Sequence, residues 1–457
     1  MDIIICGAGR VGYGIARRLS AENNSVTVVD ISPDLVQNIS TELDVRGIIG
    51  HGSHPSVLKQ AGADTADMII AVTYSDEVNM VACQVSHSLF GTPMKIARVR
   101  AQDYLKDTWR DLYTRENMPI DIIISPEIEI GKAILRRLNT PGAFDVVPFA
   151  GGLVQLIGIH VDDDCPIINM PIRQIGELFP DLNATIVGVF REGQFFAPDP
   201  GDQLAIGDEA YFVVETAHAG RLLDIIGSDD EKARYVVIFG GGNVGAYVAK
   251  ELEKVTGVRV RVVEADKATA ERVADMLDHT VVLWGDALSA TVQEEAGVRD
   301  AQGVLCLTND DKTNILAGIM AKSKGNAQVF SLVNDVSLLD IKSSLDIDMI
   351  IDPRATTVSS ILRHVRKGRI LDVFALEGGA AEVMEGEVLD TSPLAGKTLE
   401  EAGIPEDIVI GAIIRAGNVI KPTPDLTILT RDHVVLLADK SALKQVENLF
   451  RVSADYF

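Results

Sequence analysis

Two glycine-rich segments of the sequence have the spacing that a nucleotide phosphate requires. The pattern GxGxxG occurs at residues 7–12 and again at residues 240–245, each time between a β-branched run and a helical pattern. In that context the first glycine permits a tight turn, the second lets the backbone approach a pyrophosphate, and the third lets helix pack on strand. Backbone amides at the helix start then bind the anion. The residues of these segments that we predict to bind the cofactor are Gly7, Ala8, Gly9, Arg10, Val11 and Gly12 in the first and Gly240, Gly241, Gly242, Asn243 and Val244 in the second.

An acidic residue follows each glycine segment at the distance expected for ribose recognition. Asp30 and Glu264 each end a run of β-branched residues roughly 20 residues beyond the first glycine. A carboxylate there binds ribose hydroxyls and repels a 2′-phosphate, which favours NAD(H) over NADP(H). The ribose of ATP or ADP would satisfy the same carboxylate. The alternative is that Asp30 only caps the helix that begins near Ser32.

Two threonines are predicted to lie at the ligand-binding edge of the sheets. Thr73 and Thr308 are expected to end the fourth strand of each copy, at the carboxyl edge where open α/β sheets bind ligands. Their hydroxyls are candidate nucleotide contacts. The polar residues after them are expected to cap the next helix instead, and these are Asp76, Glu77 and Asn79 with their counterparts Asp311, Lys312 and Asn314.

The repeat argues against catalysis. Hydride transfer needs an acid or base beside the nicotinamide, and the nearest histidines, His51 and His54, are replaced by Asp286 and Ser289 in the second copy. His51 remains a candidate contact to an adenine, and its counterpart Asp286 is kept as a candidate cofactor contact. No nucleophile triad, zinc-protease or P-loop pattern occurs. We expect no catalytic residues and no metal site.

These candidates fall on strands and helices that alternate. The predicted strands of the first copy are Ile3–Cys6, Ser25–Val29, Gly47–Ile49, Met68–Thr73 and Lys95–Val99. Strands separated by helical patterns predict a parallel, doubly wound sheet, whereas the segments that follow show short strands with Gly and Pro turns. The expected fold class is therefore α/β, with two tandem units, each a Rossmann-like doubly wound parallel sheet followed by a small α+β C-terminal lobe.

The two copies predict the domain order N1, C1, N2, C2. The predicted bounds are 1–124 for N1, 125–143 for a connecting helix, 144–227 for C1, 233–351 for N2, 352–369 for a second connecting helix, and 370–454 for C2. The acidic stretch 227–231 has the composition of a linker between the copies.

Composition and charge exclude several classes of protein. The chain has 457 residues and a formal charge of −24, which disfavours electrostatic binding to nucleic acid or to anionic lipid. No apolar run approaches the roughly 20 residues of a membrane-spanning helix, and the strand pattern begins too early for an export signal. The four cysteines are scattered along the sequence, a pattern that is typical of buried, reduced thiols. We expect a cytoplasmic protein without direct membrane insertion.

The motifs together resemble the RCK family, the regulators of potassium conductance. The shared features are GxGxxG, the acid ending strand two, and the segments that begin at Gly50, Thr73 and Thr308. Two such units in one chain are similar to the regulatory subunits of Trk-type potassium uptake systems. The resemblance implies a peripheral subunit on the cytoplasmic face of the inner membrane that gates a Trk-type membrane potassium transporter in response to NAD(H), or to ATP or ADP. It also implies a homotetramer, because a ring of eight RCK units needs four chains.

The resemblance adds three site residues, Tyr74, Arg98 and Asn309, of which Arg98 is placed to pair with a phosphate. The second copy departs from the pattern here, because Leu332 stands at the place of Arg98. We therefore predict that N1 binds nucleotide more tightly than N2. Two other functions remain open: an NAD-dependent oxidoreductase, and a nucleotide-sensing regulator of a different ion transporter.

Overall fold

The first part of the chain forms a six-stranded parallel sheet. The computed structural model describes residues 1–22, 24–227, 233–325, 327–339, 347–362, 364–365, 370–376 and 380–450. The strands of N1 are β1 (Asp2–Cys6), β2 (Ser25–Asp30), β3 (Arg46–Ile49), β4 (Met68–Ala71), β5 (Met94–Arg98) and β6 (Ile122–Ile124). Its helices are α1 (Arg10–Ala21), α2 (Pro33–Glu42), α3 (Pro55–Gln60), α4 (Asp76–Val85) and α5 (Pro126–Asn139). The strand order is β3-β2-β1-β4-β5-β6, as in doubly wound dinucleotide-binding sheets.

C1, which follows N1, is an antiparallel sheet with two short helices. Its elements are β7 (Ala143–Phe149), β8 (Val154–His160), α6 (Ile172–Leu178), β9 (Ala184–Arg191), β10 (Gln194–Phe196), β11 (Glu209–Glu215) and α7 (Ala219–Ile225). The strand order is β10-β9-β11-β8-β7. Residues 228–231 of the predicted linker lie outside the described residues.

N2 repeats the parallel sheet of N1. Its strands are β12 (Tyr235–Phe239), β13 (Arg259–Glu264), β14 (Val281–Trp284), β15 (Gly303–Cys306), β16 (Gln328–Leu332) and β17 (Met349–Ile351). Its helices are α8 (Asn243–Glu253), α9 (Lys267–Met276), α10 (Ala290–Glu295), α11 (Asp311–Lys322), α12 (Val336–Leu339) and α13 (Pro353–Leu362). The order β14-β13-β12-β15-β16-β17 is the same as in N1.

C2 repeats the antiparallel lobe. It contains β18 (Ile370–Leu376), β19 (Ala381–Glu387), β20 (Ile408–Arg415), β21 (Asn418–Ile420), β22 (His433–Asp439) and α14 (Leu443–Leu449), with the order β18-β19-β22-β20-β21. The predicted fold class, two tandem units of parallel sheet and α+β lobe, is confirmed. Within the described ranges, no helix has both the length and the hydropathy that crossing a bilayer requires.

Two strand predictions were wrong in detail. The fourth strand ends at Ala71 in N1 and at Cys306 in N2, two residues before the threonines that were expected to end it. The sixth strands, β6 and β17, were not predicted at all. Each has three residues, and three apolar residues carry too little alternation to distinguish a strand from a buried turn.

The strands of the parallel sheets are apolar because helices cover both of their faces. Ile3, Ile4 and Ile5 are successive residues of β1, and all three are buried. The four cysteines are buried and free, as predicted. Burial raises the pKa of the Cys6 thiol to about 12, with the nearby Asp30 carboxylate as a second cause, so the thiol stays protonated and unreactive.

The chain forms two compact units, and each unit contains parts of both copies. The first unit comprises Met1–Ile134 and Ala233–Leu362, which hold the two parallel sheets, and the second holds the two antiparallel lobes. Within the first unit, α1 packs on α13 and α5 packs on α8. Gly14 and Gly131 mark the two crossings, because a Cβ at Gly14 would lie 3.0 Å from Val358 and one at Gly131 would overlap the ring of Tyr247. Each sheet is therefore covered in part by the helix that follows the other sheet.

In the second unit the two antiparallel sheets share one apolar core. It contains Val187 and Val213 from C1 and Ile414 and Leu437 from C2, all of them buried. A polar contact crosses the same face, where the carboxylate of Glu385 accepts a 2.8 Å hydrogen bond from the backbone amide of Ala150. C1 and C2 therefore form a single packed body.

Candidate functional site

The first and third glycines of each motif are required by packing. In N1, Gly7 has φ +114°, and a Cβ there would lie 3.0 Å from backbone atoms of Val72 and Thr73. A Cβ at Gly12 would overlap the carbonyl oxygen of Gly7, so the close approach of α1 to β1 excludes any side chain. N2 repeats both features, since Gly240 has φ +107° and a Cβ at Gly245 would overlap the Gly240 carbonyl. These glycines build the loop whether or not a ligand is bound.

The middle glycine of each motif is not required by the protein. A Cβ at Gly9 or at Gly242 would meet no heavy atom within 4 Å. Neither residue has a positive φ, because Gly9 has φ −65° and Gly242 has φ −64°. Neither packing nor backbone conformation thus demands glycine here. The open space in front of each loop is what close approach of a pyrophosphate to the backbone would need.

The helices that begin at the glycine loops lack side-chain caps. Gly9 and Gly242 are the N-caps of α1 and α8, no side chain bonds the first-turn amides, and the first turns contain no acidic residue. Several other helices of the same sheets are capped by a side-chain oxygen, as α2 is by Ser32, α4 by Ser75 and α9 by Asp266. The first-turn amides of α1 and α8, which follow the glycine loops, are therefore open to an anion.

The acidic residues that end the second strands hold the glycine loops. Asp30 accepts hydrogen bonds from the backbone amides of Ala8, at 2.7 Å, and of Ser32, at 2.9 Å. Glu264 repeats this with the amides of Gly241, at 2.6 Å, and of Asp266, at 2.8 Å. The alternative that Asp30 only caps α2 is wrong, because Ser32 is the N-cap. The backbone amide of Ala8, a residue predicted to bind the cofactor, is therefore engaged by Asp30.

An asparagine orders the end of the fourth strand in both copies. The Asn79 side chain is buried; its Oδ1 accepts from the amide and hydroxyl of Thr73, and its Nδ2 donates to the carbonyls of Thr73 and Arg98. Asn314 makes the same four contacts, with Thr308 and Leu332. The expectation that these asparagines cap a helix was wrong. The asparagine occurs at the same place in both copies of the sequence, but it was interpreted there as a helix cap.

The caps after the fourth strand come from neighbouring residues. Ser75 accepts from the Val78 amide to cap α4, and in N2 the carboxylate of Asp310 caps α11. Asp76 does not cap α4, because its Oδ2 accepts from the backbone amides of Arg100 and Ala101, at 2.9 and 2.8 Å. Asp76 therefore links the start of α4 to the loop after β5.

Arg98 lies at the carboxyl edge of N1 beside Thr73. Its Nη2 donates to the Thr73 carbonyl at 2.7 Å, while its Nε is buried with no hydrogen-bond partner among the described residues. Burial, and then the like charge of Arg100, lower the pKa of Arg98 from its ordinary value. The guanidinium thus lacks a full set of partners in a place where an anion would supply them.

A cavity of about 970 Å³ opens in front of the N2 glycine loop. All of the residues predicted for the N2 site except Gly241 line it, and these are Gly240, Gly242, Asn243, Val244, Glu264, Asp286, Thr308 and Asn309. From the residues predicted for N1, only Val11 and Arg98 do so. The cavity also contains cations that the sequence analysis did not select: Arg100 from N1, and Arg272 and Arg354 from N2. Its volume falls in the range of small-molecule sites.

Three other predicted residues lie as follows. Tyr74 is 87 % exposed. His51 stacks on His54 with ring centroids 4.6 Å apart and shares a 2.9 Å hydrogen bond with Ser53. Arg10 extends into N2, where its Nη1 donates to the Asn334 carbonyl at 3.3 Å. The structure brings Gly7, Ala8, Asp30, Thr73 and Arg98 together through direct contacts. Among the described residues it shows no such contact between the loop and Tyr74 or His51.

Models of two domain families match the chain twice each. The TrkA-N domain matches residues 3–126 and 236–353, and the TrkA-C domain matches residues 156–227 and 383–451. The order of the matches is the order of the folded units described above.

Curated relatives match over the whole chain. The Trk system potassium uptake protein TrkA of Azorhizobium caulinodans is 48% identical over 458 residues, covering 100% of both chains. Those of Halomonas elongata and Vibrio alginolyticus are 37% and 35% identical and cover 100% and 99% of both chains.

Solved structures share the fold at low identity. The crystal structure of the GsuK RCK domain has a TM-score of 0.59 at 20% identity and covers 98% of this chain and 94% of that one. The GsuK channel bound to NAD has a TM-score of 0.59 at 18% identity, covering 98% of this chain and 78% of that one.

Proposed function

The chain belongs to the TrkA family of Trk system potassium uptake proteins, and from that premise we propose that it is a nucleotide-sensing regulatory subunit. It binds NAD(H), or ATP or ADP, at the glycine loops of N1 and N2. It gates the potassium-translocating subunit of a Trk-type system. Because its partner lies in the inner membrane, the chain is peripheral, on the cytoplasmic face.

The observation that carries nucleotide binding is the pair of uncapped helices behind open glycine loops. At both loops the middle glycine faces free space, the first-turn amides have no side-chain cap, and a carboxylate lies at the end of the adjacent strand. An anionic pyrophosphate satisfies these amides, and ribose hydroxyls satisfy the carboxylate. The GsuK channel, which shares the fold, is described as bound to NAD, and this supports the proposed ligand class.

Gating follows if the nucleotide binds two conformations of the assembly unequally. The two parallel sheets pack as one unit, with α1 on α13 and α5 on α8, so a ligand at either loop acts on an interface between the copies. Two loops in one chain provide two inputs to that interface. A homotetramer would assemble eight such units into a ring.

Nucleotide binding is tested by calorimetric titration of the purified chain with NADH, NAD, ATP and ADP. Gly9→Asp and Gly242→Asp each add a carboxylate to one loop, on a Cβ that meets no protein atom within 4 Å, and the carboxylate repels pyrophosphate. We expect the wild type to bind at two sites and each variant to lose one. Loss of no site in either variant would overturn the assignment of the loops.

Gating is tested with the membrane partner that copurifies with the chain. Potassium flux into proteoliposomes containing both proteins should change on addition of the nucleotide that calorimetry identifies. The double variant Gly9→Asp/Gly242→Asp should abolish this response while leaving copurification intact. A nucleotide response that survives in the double variant would show that the input lies elsewhere.

A further inference from the structure

The cavity in front of the N2 loop is shared between the two copies. It is lined by counterparts from each copy, since Arg98 and Arg100 of N1 face it together with Leu332 and Asn334 of N2. The fifth strand of N2 therefore supplies no cation of its own at these two positions. N1 supplies the arginines at these two positions, and Arg354 of N2, which donates to the Asn334 carbonyl, lies beside them.

The starts of two helices also line the cavity, through Glu127 of α5 and Arg354 of α13. Carboxylates already lie at both starts. The first turn of α5 contains Glu127 and Glu129, and Asp352 accepts a 2.8 Å hydrogen bond from the Arg354 amide of α13. The groups that could bind an anion here are therefore arginine side chains and not helix amides.

The arginines of N1 are held in position for such an anion. Nε of Arg100 donates to the buried carboxylate of Glu127 at 3.1 Å, and Nη2 of Arg98 donates to the Thr73 carbonyl at 2.7 Å. Nε of Arg98 is buried without a hydrogen-bond partner among the described residues. The like charges of Arg98 and Arg100 lie close enough to repel one another, so a bound anion would relieve this repulsion.

We propose that Arg98 and Arg100 of N1 bind the phosphate chain of a nucleotide held on the N2 glycine loop, so that N2 is a composite site. This inference rests on the proposed function and names the ligand class for this site: a nucleoside di- or triphosphate. Its free terminal phosphates carry more charge than the diester pyrophosphate of NAD(H), and Arg98 and Arg100 are two cations from N1 on the cavity wall that could pair with them. Weaker nucleotide binding was expected at N2 because Leu332 replaces the arginine of its fifth strand. In a composite site N1 supplies that missing cation, so this reason for weaker binding no longer applies.

Arg100 is the better residue to test, because Arg98 also contacts Thr73 at the N1 site. Full-length Gly9→Asp leaves only the N2 loop open, and full-length Gly242→Asp leaves only the N1 loop open. Each background receives Arg100→Gln, or Arg46→Gln as a control at the exposed amino end of β3. Circular dichroism confirms folding, and calorimetry measures ATP and NADH affinity.

In the Gly9→Asp background, Arg100→Gln should weaken ATP binding about tenfold, the range for one hydrogen bond to a charged group, and weaken NADH binding less. Arg46→Gln should change either affinity by less than about twofold. In the Gly242→Asp background, Arg100→Gln should leave ATP binding unchanged. ATP affinity at N2 that survives Arg100→Gln, or that falls equally in both backgrounds, would overturn the composite site.

Failure of the proposed nucleotide-sensing function would give a different pattern of binding results. If the wild type and both single-loop variants bind no nucleotide, the proposed function fails and the composite site fails with it. If Gly9→Asp alone binds none while Gly242→Asp binds, nucleotide sensing stands at N1 and the composite N2 site is wrong.

Discussion

The carboxylate of Asp30 accepts a 2.7 Å hydrogen bond from the backbone amide of Ala8. The acidic residue that sequence reasoning assigns to ribose therefore also fixes the glycine loop that would hold the phosphates. A carboxylate has four lone-pair positions, and the amides of Ala8 and Ser32 use two of them, so two remain for the proposed ribose contact. The loop geometry and the proposed ribose binding thus depend on the same residue.

Asp30→Ala should weaken both the loop and the N1 site. It removes the acceptor for two amides, so the free energy of unfolding without ligand should fall by about 1–2 kcal/mol. Nucleotide affinity in the Gly242→Asp background should fall about tenfold. Urea unfolding and calorimetry measure the two effects. Asp44→Ala, at an exposed position before β3, is the control and should change neither.

Single glycine replacements should distinguish the glycines that packing requires from the glycines that leave space for a ligand. Gly12→Ala places a methyl group on the Gly7 carbonyl and should destabilise the chain by about 3 kcal/mol, the upper end of overpacking effects. Gly9→Ala meets open space and should alter stability by less than about 1 kcal/mol. Thermal unfolding of the two variants compares them directly. Equal destabilisation by both would contradict the distinction.

Asn79→Ala should lower the free energy of unfolding by more than the loss of a single hydrogen bond would. It removes four hydrogen bonds and leaves the carbonyls of Thr73 and Arg98 without this donor, for a loss of about 2–4 kcal/mol. Asn314→Ala should do the same in N2, because its contacts are the same. Asn38→Ala, on the exposed side of α2, is the control for urea unfolding. A loss below about 1 kcal/mol would show that water replaces these bonds.

Asp208 should make C1 sensitive to acid. Burial alone would raise the pKa of this carboxyl, but hydrogen bonds from Arg191 and from the Ala205 amide outweigh burial and hold the pKa below its ordinary value. A lowered pKa contributes stability that is present above the unfolded value of about 3.9 and is lost as pH falls through the folded value.

Asp208→Asn should therefore destabilise the chain by about 2 kcal/mol at pH 7. The difference from the wild type should shrink as pH drops below about 4, because the wild-type carboxylate is then protonated. Denaturation with urea at the two pH values measures this. Asp432→Asn, which breaks the equivalent pair with Arg415 in C2, should destabilise the chain by a similar amount at pH 7. A difference that stays constant with pH would contradict the assignment.

The sequence was sufficient for the architecture because its signals are local and repeated. Runs such as Ile3–Cys6 followed by GxGxxG specify a strand, a turn and a helix within a few residues, and the second copy confirms each of them. The three-residue strands β6 and β17 were missed because their strand character comes from pairing with β5 and β16, which the local sequence does not encode.

The candidate site was harder to predict because contacts distant in sequence decide it. Arg100 belongs to no motif that the sequence would reveal. Its position in the N2 cavity depends on how N1 and N2 pack. The Asn79 side chain bonds to the backbone of Arg98, which sequence spacing does not reveal. Thr73, by contrast, was placed at the sheet edge correctly even though β4 ends two residues earlier.

The reciprocal packing of α1 on α13 and α5 on α8 joins two copies that belong to one polypeptide. Two identical chains meeting in this way would carry every substitution twice, once on each side of the symmetry axis. Within one chain, equivalent positions can hold different residues. Leu332 stands at the place of Arg98, and Asn334 stands at the place of Arg100. The interface is therefore symmetric in its helices and asymmetric in its charges.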